Sequence, residues 1–411
     1  MLWTSFTDRK AGNSRSEVSF MTVENGICFI SSHTASPWGG CEELWSRAAM
    51  DLMSQGIPVS ASVHGWSQPH KRMLQLAEVG VHLQFRPTGY SLGKQLWRRI
   101  TAKTKAWRLL EFEKFLASEG PALIVFSESG ALPAIDLLEL CVSKKLPFVT
   151  ISHTSSPDWW PDDGLARRYR KAMPTARRCY FVSKAIQKLV EKQIGDELAN
   201  AEIIYNPFNV DRNVSLPWPP LGNGSMLRLA CVATLHPPSK GQDILLEVIA
   251  APVWRHRNWR LTFYGEGPMR DRLERMVRRS ALGDRVGFAG FVDDVVKIWL
   301  ENHVLVMSSR YEGLPLAIVE AMLCARPTVA TDVGGNSEII EDGVTGFLAD
   351  SATVRSMTTT LERLWSRRTD LEEMGKAAAK SIREHVPPDP VRVLSEKLKS
   401  HIHIAQMKET P

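Results

Sequence analysis

Short apolar runs rich in β-branched residues alternate along the whole chain with longer stretches whose apolar positions recur at helical spacing. In the first half these runs predict strands near Ile27–Ser31, Val59–Val63, Val81–Phe85, Leu123–Ser127, Phe148–Ser152, Cys179–Ser183 and Ile203–Tyr205. Helices are predicted between them, for example at Cys41–Gln55, Glu111–Glu119, Leu132–Lys144 and Lys184–Gln193. In the second half strands fit Arg228–Thr234, Arg260–Tyr264, Val286–Ala289, His303–Ser308, Thr328–Thr331 and Gly346–Leu348. Continuously apolar strands alternating with helices imply parallel sheets covered on both faces. Right-handed crossovers then make each half a doubly wound, Rossmann-like α/β domain.

The chain has 411 residues, more than one core usually serves, so two domains are expected. The only extended Pro/Gly/Asn punctuation in mid-chain is Asn206-Pro207-Phe208-Asn209-Val210-Asp211, followed by Pro217, Pro219, Pro220 and LGNGS. It divides the chain into domains at 21–207 and 208–389, after a polar tail at 1–20 expected to be disordered. Ligands of open α/β sheets bind beyond the carboxyl ends of strands, so two such halves would face each other across a cleft.

Composition narrows the class. An apolar share of 44% and a charged share of 23% suit a soluble globular protein. No apolar run is long enough to span a membrane, and the N-terminus lacks a signal-peptide core. The six cysteines (28, 41, 141, 179, 231, 324) show no CxxC or clustered spacing, which suits reduced core thiols in a cytoplasmic protein and argues against a zinc site. The net charge of +6 lies mostly in residues 1–206, with 25 basic against 20 acidic side chains. Its densest part, 94–108 (KQLWRRITAKTKAWR), holds six cations, with Trp97, Ile100 and Trp107 at helical spacing. Such a helix can rest peripherally on the anionic inner face of a membrane, or be an ordinary solvated helix with its tryptophans packed inward. No nucleic-acid-binding module is present.

Chemistry concentrates in Ser309-Arg310-Tyr311-Glu312-Gly313-Leu314-Pro315-Leu316-Ala317-Ile318-Val319-Glu320-Ala321, after the apolar run at 303–307. Pro315 fits the first position of a helix, and the N–H groups of Gly313 and Leu314 would sit at an N-terminus that favours phosphate. Glu312 and Glu320 can then point to one side of a nucleotide sugar, where carboxylates suit vicinal hydroxyls. In Cys231-Val232-Ala233-Thr234-Leu235-His236-Pro237-Pro238-Ser239-Lys240-Gly241, Lys240 precedes a helix and can neutralise a diphosphate held there. Gly39 and Gly40, between the first strand and first helix, let backbone approach phosphate closely. Further loops after strands are Tyr264-Gly265-Glu266-Gly267-Pro268 and Gly290-Phe291-Val292. Gly334-Gly335-Asn336-Ser337-Glu338 and Gly343-Val344-Thr345-Gly346-Phe347 complete the series.

Taken in order, these segments resemble the retaining glycosyltransferases of group 1 (family 4), which have the GT-B fold; the likeness covers about residues 25–385. The resemblance implies that Glu312 orients the donor sugar and Glu320 the ribose, while Lys240, Gly313 and Leu314 hold the diphosphate. Gly39 and Gly40 would close over the donor, and Gly265 and Val292 would line the nucleotide. His153, after the strand at 148–152, is the family's candidate for a bond to a sugar hydroxyl; a hydrogen-bonded loop histidine is the alternative. Asp158, Asp162 and Asp163 are read as a solvated acidic loop, with acceptor binding as the alternative. One departure stands out: Thr234 occupies the position of a family arginine that grips the diphosphate, and Arg310 is the candidate replacement.

The implied reaction moves a hexose-type sugar from a nucleotide diphosphate sugar to a glycan, lipid-linked or small acceptor, giving an α-linkage. The helix at 390–411 would cross back to the first domain. No Asp-x-Asp or P-loop is present, so no metal or other cofactor is expected. Two rivals stay open: a sugar-nucleotide epimerase of the same fold, and a GT-B partner subunit with little turnover, which Thr234 keeps in play.

Overall fold

Two all-parallel sheets form where the apolar runs predict them. The computed structural model describes residues 26–34, 37–86, 109–130, 132–220 and 226–409, with side chains as far as 402. The 1–20 tail, the basic stretch 94–108 and the LGNGS segment lie outside the described residues.

The first sheet contains β1 (Ile27–Ser31), β2 (Val59–His64), β3 (His82–Arg86), β4 (Leu123–Glu128), β5 (Phe148–Ser152), β6 (Cys179–Phe181) and β7 (Ala201–Ile203), in the order β3-β2-β1-β4-β5-β6-β7. The second contains β8 (Leu227–Val232), β9 (Trp259–Tyr264), β10 (Val286–Gly290), β11 (Val304–Met307), β12 (Thr328–Thr331) and β13 (Gly346–Ala349), in the order β10-β9-β8-β11-β12-β13. Both share the doubly wound 3-2-1-4 core, whose switch point lies between the first and fourth strands. Apolar clusters cover both faces of each sheet, which is why β1, β4 and β11 are buried at every position. The seventh strand starts earlier than expected, at Ala201, because its ladder partner is the short strand Cys179–Phe181.

The helices that matter for the site are α1 (Gly40–Ser54), α2 (Lys184–Ile194), α3 (Gln242–Ile249), α4 (Leu316–Leu323) and α5 (Pro390–Glu409). Although α5 follows the second domain in sequence, it packs on α1 of the first. Leu394, Leu398 and Ile402 recur at four-residue spacing and bury one face of α5 in the first domain's core. Each such side chain contributes roughly 2 kcal/mol of transfer free energy, so α5 ties the two domains firmly.

Candidate functional site

The turn after β8 is fixed by contact with the end of β11. Gly241 has φ +62, and a Cβ there would lie 1.8 Å from the Ser308 carbonyl oxygen. Ser308 Oγ donates to the Gly241 carbonyl at 2.6 Å, so only glycine fits this left-handed, tightly packed position. The clamp places Lys240 Nζ 2.7 and 2.8 Å from the two oxygens of Glu312. Ser309 Oγ donates to Glu312 Oε1 at 2.7 Å. Glu312 is buried and Lys240 is about a quarter exposed, so the pair is reached from solvent on its lysine side, as one wall of a candidate site would be. Adjacent loops lock to the same edge: Ala233 N–H bonds to the Tyr264 carbonyl at 3.0 Å, and Gly265 N–H to the Gly290 carbonyl at 2.7 Å. Val292, half-buried, follows two residues after Gly290.

The first domain faces this wall closely. A Cβ on Gly40 would meet Leu316 Cδ1 at 3.4 Å, so the paired-glycine loop abuts the start of α4. Gly39 lies over the His33 imidazole, where a Cβ would come within 2.9 Å. Gly313 is tighter still, since its Cβ would fall 1.8 Å from the His153 carbonyl oxygen. Glu338 accepts the N–H groups of Lys184 at 3.1 Å and Ala185 at 2.7 Å, capping α2 from the opposite domain. Lys71 and Asp293 pair across the domains at 2.7 Å on the exposed rim. The carboxyl edges of both sheets thus bring together Gly39, Gly40, Lys240, Glu312, Gly313 and Leu314, although their segments are far apart in sequence.

Residues 38–212 match the family Glycosyltransferase Family 4, and residues 227–367 match Glycosyl transferases group 1. The chain belongs to the group 1 glycosyltransferases. It is 34% identical over 142 residues to the alpha-D-kanosaminyltransferase of Streptomyces kanamyceticus, covering 34% of this chain and 37% of that protein. It is 30% identical over 148 residues to the poly(ribitol-phosphate) alpha-N-acetylglucosaminyltransferase of Staphylococcus aureus strain COL, covering 36% of this chain and 30% of that protein. Each match therefore spans well under half of the relative's length. Anabaena Alr3699/HepE, solved in complex with UDP, shares the fold with a TM-score of 0.68 at 20% identity, over 91% of this chain and 100% of that one. The two facing domains are the GT-B fold.

Three expectations for this group 1 glycosyltransferase are modified by the geometry. Pro315 is the cap before α4 rather than its first residue; its ψ of 126° keeps it out of the helix. Glu320 does not stand open to a ribose: it is buried, and its Oε1 accepts the backbone and side-chain N–H groups of Asn209 at 2.9 and 2.8 Å. Burial pushes its carboxyl up to about 7, against the opposing pull of the Asn209 bonds. Arg310, the candidate replacement for the arginine missing at Thr234, is paired with Asp243. Its guanidinium binds both Asp243 oxygens at 2.8 and 2.7 Å and the Pro237 carbonyl at 2.7 Å. Burial alone would raise Asp243, but the Arg310 bonds bring it below the usual carboxylate value. Thr234 is exposed, and its carbonyl takes the Gln242 amide at 2.8 Å.

His153 fits the bonded-loop alternative. Its Nδ1 lies 3.0 Å from Asn206 Oδ1 and its Nε2 lies 3.2 Å from Ser127 Oγ. Burial drives its pKa down to about 4, so the ring is neutral at pH 7, and its carbonyl rather than its ring meets the other domain at Gly313. Asp162 caps the helix Asp163–Ala172 through Leu165 N–H at 2.8 Å, and Asp158 and Asp163 are exposed.

A buried charge cluster below the paired glycines escaped the sequence reading. Glu42 accepts Ser31 Oγ at 2.6 Å and the Trp45 indole N–H. Arg86, at the end of β3, reaches the Ser31 carbonyl, and Glu128 ends β4. Burial raises both Glu42 and Glu128 to about 7 while Arg86 opposes it. The available signal was a charged residue ending an otherwise apolar strand, where open sheets hold ligands. His33, Cys41 and Glu42 also offer donor atoms within 4.8 Å of one another, but Glu42 already spends both oxygens on Ser31 and Trp45.

Proposed function

We propose that this chain is a retaining glycosyltransferase that moves a hexose-type sugar from a nucleotide diphosphate sugar to a glycan, lipid-linked or small-molecule acceptor, forming an α-linkage. The observation that carries the reading is the Lys240–Glu312 pair at 2.7 Å, set at the carboxyl edge of the second sheet opposite Gly39 and Gly40. A donor entering there meets a carboxylate for sugar hydroxyls and an ammonium for the diphosphate, each now satisfying the other. UDP is the favoured carrier, since Alr3699/HepE was solved with it, and the α-linkage is supported by the names of the two relatives.

The chain's own groups hold and orient; none needs to attack the sugar. The C1–O bond to the diphosphate breaks as the acceptor oxygen bonds C1 on the same face. The acceptor's proton passes to the departing β-phosphate oxygen. Lys240 and the N–H groups of Gly313 and Leu314 stabilise the negative charge that develops there. The test is thermal stabilisation by UDP-, GDP- and ADP-sugars, followed by nucleotide release with and without acceptor. Sugar inversion with donor alone would instead establish the epimerase.

Two predictions arise here. With Arg310 committed to Asp243, Thr234→Arg restores a second cation near the diphosphate, and turnover or donor affinity is expected to rise by up to about a hundredfold. An unchanged rate would mean that the diphosphate does not pass Thr234. Transfer is also expected to persist in excess EDTA, because Lys240 and backbone N–H groups take the role a divalent ion would fill. Activity lost with chelator and recovered with Mn²⁺ would contradict this.

A further inference from the structure

A continuous chain of polar contacts joins buried Glu320, the carboxylate that the family resemblance assigns to the ribose, to the paired-glycine loop. Asn209, in the linker, gives both its N–H groups to Glu320 Oε1. Its Oδ1 accepts Arg47 Nη2, and Arg47 Nη1 also reaches the Phe208 carbonyl at 3.4 Å. On its other side Arg47 contacts Glu43 Oε2 through Nη2 at 3.0 Å and Nε at 3.1 Å. Glu43 Oε1 accepts the Trp38 indole N–H at 2.7 Å and a contact from Arg72. Trp38 immediately precedes Gly39 and Gly40. Glu43 and Glu320 are both buried, so a guanidinium stands between two sequestered acids that belong to opposite domains.

We propose that Arg47 is a positioning residue for the nucleotide donor: through Asn209 it sets Glu320, and through Glu43 and Trp38 it sets the paired-glycine loop, holding the two walls of the donor site in register. The inference rests on the glycosyltransferase reading above. A planar fork with several fixed donors can serve Asn209, the Phe208 carbonyl and Glu43 at once, which the single ammonium of a lysine cannot. Asn209 also supplies Glu320 with two N–H donors where a ribose would supply two hydroxyls, so it holds the carboxylate in place until the donor arrives.

The groups facing Glu320 are Asn209, Arg47, Glu43 and, on its own helix, Cys324. Burial raises its carboxyl to about 7, Asn209 and Arg47 oppose the rise, and Glu43 adds to it. An ionised carboxylate accepts hydroxyl hydrogens more strongly, so nucleotide affinity should climb as pH rises through about 7. Removing Arg47 takes away a cation near Glu320 and leaves Glu43 with Arg72 alone as counter-charge, which moves that limb to higher pH.

The test titrates UDP, GDP and ADP calorimetrically into the full chain as wild type, Arg47→Ala, Arg47→Lys and Asn209→Ala, across the neutral range. Arg47→Ala is expected to weaken the nucleotide that binds by about tenfold and to shift the limb upward. Arg47→Lys keeps the charge, so the limb stays while affinity still falls. Asn209→Ala breaks the link without touching a charge and should weaken binding similarly, which keeps the test valid if Arg47→Ala fails to fold. Affinity and limb unchanged in Asn209→Ala, or in a folded Arg47→Ala, would overturn the proposal alone. A wild type that binds none of the three nucleotides would defeat the donor reading and the proposal together.

Discussion

Lys240→Ala is expected to lower transfer by about two to three orders of magnitude, the scale of removing one pre-placed charge from a developing anion. The effect should exceed that of removing an ordinary surface lysine because Nζ is held 2.7 Å from a buried carboxylate by the Gly241–Ser308 clamp. Part of the loss would be indirect. Without Lys240, Glu312 keeps the Ser309 hydroxyl but loses its counter-charge. Breaking a fully buried pair costs roughly 3–5 kcal/mol, and the partial exposure of Lys240 reduces that considerably. Glu312→Gln separates the two contributions, since it keeps the side chain's size and removes the charge. If both residues act on one bound donor, Lys240→Ala/Glu312→Gln should be little worse than the more damaging single change. Losses that multiply independently in the double variant, or a fall of less than about tenfold in Lys240→Ala, would place the diphosphate elsewhere.

How much of this was legible in the sequence depended on how far each feature reaches along the chain. The strands and the loops after them could be read because an apolar run, a turn and a helix start are local. The resemblance placed Lys240 and Glu312 at one donor, but their direct pairing was not read, because they follow separate strands. The face of Glu320 could not be read at all. In α4 every residue from Ala317 to Leu323 is buried, so no polar stripe exists to show which side meets the ligand. The Arg310–Asp243 pair was missed for a related reason: Asp243 lies 67 positions earlier, at the start of α3. The cluster of Glu42, Arg86 and Glu128 draws on α1, β3 and β4 and becomes one site only when β1 stands between its neighbours. Sequence spacing reveals chemistry within one turn; charge pairs assembled by topology need the sheet order first.

Gly313→Ala is expected to reduce transfer by about a hundredfold while leaving each domain folded. The new Cβ would lie 1.8 Å from the His153 carbonyl oxygen and 2.9 Å from Val182 Cγ2, both in the first domain. The nearest obstacle is backbone, and it is held in place: His153 N–H bonds to the Glu128 carbonyl at 3.1 Å, and Val182 N–H to the Ser152 carbonyl at 3.3 Å. Relief must therefore come from the domains moving apart. Separation by about 1 Å at this contact misplaces Glu312 and the Leu314 N–H against Gly39 and Gly40, and a displacement of that size can cost about a hundredfold in rate. Nucleotide affinity should change far less, because the second domain supplies most of the implied contacts. Gly283→Ala provides the control, since a Cβ there meets nothing within 4 Å. The measurement is turnover and nucleotide affinity for both variants. If Gly313→Ala matches Gly283→Ala in rate, the close seam at His153 does not set the geometry of the site.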